Sequence, residues 1–167
     1  MARVSRRVFL AGAAVVAACG AVGAELCRRT FPGPAGEQWR SAWAVLVPAV
    51  LGSQVVEAAS SREVVQTCLA RIDQFVGSLP KRKQSELRTL VYLGDLPVAR
   101  QLLLGMPAGW SALTPEAASA LLDRWSKGAD LRLRLAAKSL RSIVRVSWYS
   151  QPATWPAIGY PGPPQIG

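Results

Sequence analysis

Three cysteines, ten carboxylates and a run of cations, with no histidine, are the groups through which this 167-residue chain could do chemistry. The lack of His removes imidazole acid–base catalysis, Ser-His-Asp triads and His metal sites. The acids are scattered from Glu25 to Asp130 and form no paired-carboxylate motif, although separate positions could meet in the fold. There is no C-x-x-C pair for a zinc ribbon or iron–sulfur cluster, and no G-x-G-x-x-G or Walker loop for a nucleotide. No catalytic, cofactor-binding or metal-binding residue is therefore assigned, and the expectation is a chain that is not itself an enzyme. Covalent chemistry rests with the cysteines. Cys19, after Val16-Ala17-Ala18, resembles a lipobox, in which it would be acylated and become the mature N-terminus. Read blandly, it is a small apolar residue in an apolar run. Cys27 and Cys68 could form a disulfide in an oxidising compartment.

The cations offer binding rather than catalysis. Arg134, Lys138, Arg141 and Arg145 are spaced 4, 3 and 4, so they share one helix face. That face is either simply solvated or a docking strip for an acidic partner surface, where complementary charge speeds association and sets orientation. Trp148, Tyr149, Trp155 and Tyr160 lie beside it in sequence and read as interface candidates, packing on the chain's own domain being the alternative.

The N-terminus reads as an address. Arg3, Arg6 and Arg7 precede the uncharged run Val8–Ala24, the layout of an export signal. Ser5-Arg6-Arg7-Val8-Phe9-Leu10 matches the twin-arginine pattern S-R-R-x-F-L, with Ala11 where Lys is common. The alternative is an uncleaved anchor, but 17 residues rich in Ala and Gly are at the lower limit for spanning a bilayer. Cleavage would fall after Val22-Gly23-Ala24 or before Cys19. The expected location is the periplasm, with membrane contact only through the leader or a lipid on Cys19. Export argues against a nucleic-acid partner.

These groups need elements to hold them. With 50% apolar residues and 18% charged, the chain can fill a core, and its net charge is +10. Residues 1–24 are the signal segment, 25–36 a linker around Phe31-Pro32-Gly33-Pro34, 37–150 a helical domain, and 151–167 a Pro/Gly/aromatic tail. Trp39, Trp43, Leu46 and Val50 recur at helical spacing, and Pro48 should end or kink that helix. Ser60-Ser61 can cap a second helix carrying Val65, Cys68 or Leu69, Ile72 and Phe75-Val76; Lys81 begins a third. Pro97 opens a short helix ending at Leu104-Gly105, and Thr114-Pro115 starts another. Asp130 to Ser150 is the longest periodic segment, and no alternation suggests a strand. The fold expected is an all-α bundle of five or six helices with an extended Pro/Gly-rich C-terminal tail.

The run Trp148–Pro163 reads W-Y-x-x-P-x-x-W-x-x-I-G-Y-P-G-P. With the leader and the helical middle, it resembles the gluconate 2-dehydrogenase subunit 3-like family, small twin-arginine-leader-containing subunits of periplasmic flavin dehydrogenases of the glucose–methanol–choline type. That resemblance implies a non-catalytic accessory subunit. It would escort a folded, FAD-dependent dehydrogenase subunit through the twin-arginine translocon and stabilise it. FAD is then expected in the partner, not in this chain. The alternatives are a stand-alone exported helical envelope protein or lipoprotein, and an uncleaved anchor for a respiratory complex.

Overall fold

The computed structural model describes residues 36–52, 62–156 and 159–162. The leader residues Ser5, Arg6, Arg7, Phe9 and Leu10, the cysteines Cys19 and Cys27, linker residues 25–35, the Ser60-Ser61 cap and Ile158 lie outside the described residues. The described residues contain six α-helices and no strand: α1 (Glu37–Leu51), α2 (Arg62–Ser78), α3 (Lys81–Asp95), α4 (Pro97–Ala99), α5 (Pro115–Lys127) and α6 (Leu131–Tyr149). The protein is a small all-α bundle.

Helix α1 is the centre. Trp39, Ala42, Trp43, Val45, Leu46 and Val47 are all buried, and three of these are consecutive, so more than one face of the helix is covered. It packs against α3, α5, α6 and a 3-10 turn at Trp110–Ala112. The helix passes through Pro48 to Leu51 rather than ending there. Pro48 cannot donate to the Ala44 carbonyl, but Ala44 is exposed, so water can take that acceptor. The Gly52 N–H then donates to the Pro48 carbonyl at 2.8 Å and closes the last turn.

Indole N–H groups tie the elements together. Trp39 Nε1 donates to Asp73 Oδ1 on α2 at 2.7 Å. Trp110 Nε1 donates to the Val91 carbonyl on α3 at 2.9 Å, and Trp125 Nε1 on α5 donates to the Leu104 carbonyl at 2.8 Å. Each bond lets a large apolar ring be buried without orphaning its polar tip. Gln84, buried on α3, donates from Nε2 to the carbonyls of Gly77 and Leu79 at 2.9 and 2.8 Å, so the α2–α3 turn is held by one side chain.

Helix boundaries follow their local chemistry. Pro97 occupies the first turn of α4, which continues into a π-helical turn at Arg100–Leu104. Gly105 closes that turn at φ 62°, a left-handed conformation that glycine adopts without strain, and Arg124 donates to its carbonyl. The Thr114 hydroxyl oxygen accepts from the Ala117 N–H at 3.3 Å, capping α5. Asp130 accepts from the Arg132 N–H at 2.8 Å and caps α6; the Arg132 guanidinium on it holds its carboxyl below the usual range.

The tail begins as a 3-10 turn, Pro152–Thr154, rather than as an extended segment. Gln151 and Thr154 are buried, and the Thr154 hydroxyl lies within hydrogen-bond distance of the Trp148 and Gln151 carbonyls. Trp155 Nε1 donates to the Tyr149 carbonyl at 2.9 Å. The tail's first residues therefore satisfy carbonyls that the end of α6 would otherwise leave open.

Candidate functional site

Helix α6 carries five cations and no acid. Its four expected docking cations divide into two groups. Arg141 is largely buried and faces α5, where its guanidinium pairs with Asp123 and bonds Ser126. It joins two helices and is a structural residue as well as a charge. Arg134 is exposed and reaches the Gly128 carbonyl at 3.4 Å. Lys138 and Arg145 are exposed, with no hydrogen-bond or ion-pair partner among the described residues.

The aromatic candidates divide in the same way. Trp148, expected at an interface, is fully buried in the core beneath α6, and this corrects that expectation. Its offset from Val144 and Ala137 places it on the inward stripe, and its backbone carbonyl accepts from Thr154 of the tail. Trp155 is half-buried, folded over the end of α6, and meets Tyr160 edge-on with ring centroids 5.3 Å apart. Tyr149 and Tyr160 are exposed. Trp155 and Tyr160 thus form a small aromatic ledge beside Tyr149, all within reach of the chain's own helix end.

Exposed apolar residues on α6 join the cations and aromatics. Leu131, Leu135 and Val146 are exposed on α6, and with Tyr149 they range from 41% to 57% accessible. They stand at offsets 0, 4, 15 and 18, so all fall within roughly 60° of one another at roughly 100° per residue. This second apolar line was legible as leucines and a valine off the buried stripe. It borders an open groove of about 330 Å³ between α2 and α6, lined by Arg71, Gln74, Phe75, Ser78, Val146, Ser147 and Ser150. Arg71 spans the groove, its Nη1 donating to Ser150 Oγ at 3.2 Å.

Cys68 is a free thiol, fully buried on α2, and burial pushes it up to about 11 against the partial opposition of Arg71. Cys27, the other half of the expected disulfide, lies outside the described residues. No group of three or more Cys, Asp or Glu that could hold a metal ion occurs among the described residues. None of the described helices is long and apolar enough to cross a membrane.

No family model, curated protein or solved structure matches the chain. The candidate site is accordingly defined by its own geometry: a cationic edge, an apolar line and a groove on the outer side of α6, ending in an aromatic ledge.

Proposed function

We propose that this protein is a non-catalytic accessory subunit that escorts a folded FAD-dependent dehydrogenase subunit through twin-arginine export and stabilises it in the periplasm. The observation that carries the reading is the outer face of α6, where exposed Leu131, Leu135, Val146 and Tyr149 run beside Lys138 and Arg145. A line of apolar side chains left in water supports a contact surface for another protein, although a membrane can use the same feature. The Ser5-Arg6-Arg7-Val8-Phe9-Leu10 leader supplies the route, and that route carries cargo already folded around a cofactor. The partner's chemistry rests on the resemblance of the leader and of the Trp148–Pro163 run.

A pull-down of the tagged protein from its own host, followed by mass spectrometry and an absorption spectrum, tests it. A stoichiometric large subunit with flavin absorbance is expected; a colourless monomer would sink the reading. Replacing both arginines, Arg6→Lys with Arg7→Lys, should strand both subunits in the cytoplasm. A partner that still reached the periplasm would remove the escort role. The Val16-Ala17-Ala18-Cys19 run favours one other reading, a stand-alone exported lipoprotein, for which an acylated Cys19 on a monomeric product would be the sign.

A further inference from the structure

We infer that the α2–α6 groove and the outer face of α6 receive an amphipathic, acidic helix of the partner protein, laid along α6. The inference rests on the accessory-subunit reading and names the surface and the partner chemistry it requires. Helix α6 is 19 residues, about 28 Å, so it offers a partner helix several turns of contact. Along it run three strips in order. Toward α5 stand the cations Arg134, Lys138 and Arg145; next comes the line Leu131, Leu135, Val146, Tyr149; beyond Val146 the surface falls into the groove, lined by Phe75 and by polar side chains of both helices. A helix lying in this channel would set an i, i+3, i+4, i+7 apolar seam on the middle strip. Its flank would face Lys138 and Arg145, and only Asp or Glu there would meet their charge.

Other occupants fit less well. A second copy of the chain has no acid on α6 to meet the cations, and packed antiparallel across a two-fold axis it would set the cationic strips against each other. The chain's first 24 residues carry arginines and no acid, so they would be repelled. A nucleic acid would engage the cations but leave the leucines wet, since phosphate contacts dominate such binding. An anionic bilayer would satisfy both charge and apolar contact, yet it is flat, and the line here sits on the lip of a concavity.

The test uses the complex recovered from the native host. A photo-crosslinking amino acid replaces Ser142, which is exposed between Leu135 and Val146 on the middle strip, and the crosslinked peptide is sequenced. Attachment to an acid-rich segment with helical apolar spacing is expected. In parallel, Lys138→Glu with Arg145→Glu should weaken the complex about tenfold or more and flatten its salt dependence. Leu135→Asp, also exposed, should weaken it by about fivefold or more and serves if the charge reversal does not fold. Circular dichroism should be unchanged in each. A complex that forms normally but gives no crosslink from Ser142, or survives these substitutions, overturns this surface while leaving the accessory role standing. A wild-type chain that recovers no partner overturns both. Co-sedimentation of that chain with phosphatidylglycerol vesicles, abolished by the charge reversal, would then assign the face to a membrane.

Discussion

Gly94 is the residue where packing leaves least room. A Cβ built there would lie 2.2 Å from Trp110 Nε1, inside the bond that the indole makes with the Val91 carbonyl. Helix propensity alone favours Gly94→Ala by about 1 kcal/mol. The opposite sign is expected, a loss of about 2 kcal/mol, because the ring must withdraw and its hydrogen bond with it; urea unfolding of the variant measures this directly. Cys68 offers a second residue-scale consequence. Burial pushes its folded pKa to about 11, above the ordinary thiol value of 9.0, so in the folded protein the thiol keeps its proton where the unfolded chain loses it. Its contribution is fully present below pH 9 and disappears as pH rises to about 11, on the order of 2 kcal/mol in all. The unfolding free energy of the native protein should therefore fall faster over that interval than that of Cys68→Ala. Parallel curves would show that the thiol is not shielded.

At the scale of elements, the tail is the least autonomous piece. Gln151, Thr154 and Trp155 are bonded to the end of α6, whereas Tyr160 touches the rest through Trp155. Truncation after Ser150 should lower the thermal midpoint by several degrees, because the Ser147, Trp148 and Tyr149 carbonyls lose the side-chain bonds of Gln151, Thr154 and Trp155. Truncation after Pro156 should leave it nearly unchanged. Equal melting of both truncations would show that the 3-10 turn contributes nothing. Much of this level was readable in advance. Thr114-Pro115 announced α5 because a hydroxyl cap and a ring without an N–H both suit a first turn. Pro97 and Gly105 bounded α4 and its π-helical continuation for similar reasons. Pro48 does not end its helix, because whether a proline stops a helix depends on whether the orphaned carbonyl is wet, and that is a property of the packed molecule. The burial of Trp148 is legible in its spacing from Val144 and Ala137; its place next to the Pro/Gly tail is what suggests an interface instead. The π-turn and the 3-10 turn at Trp110 left no local signature.

For the whole molecule, charge is unevenly placed. The ion pairs Arg82–Glu86, Lys83–Glu86 and Arg132–Asp130 are exposed and contribute little to stability, while the outer edge of α6 keeps cations without counter-charges. The basic line is visible in the sequence; the apolar line beside it is harder to see, because an amphipathic helix normally buries its leucines. Spectroscopically, the six tryptophans carry a different kind of information. Trp39 guards the α1–α2 junction, Trp110 the contact with α3, Trp125 the π-turn and Trp155 the tail, each through its own indole N–H, while Trp43 and Trp148 have buried N–H groups without a partner. An isotope-labelled sample would thus show one indole resonance per junction. The Trp155 signal should exchange with deuterium first and the deep Trp110 and Trp125 signals last. Uniform exchange of all six would show that the bundle opens only as one unit. The same six resonances would mark where a bound partner presses: shifts at Trp155 and Trp148 with Trp110 unmoved would place it along α6, read by the protein's own nuclei.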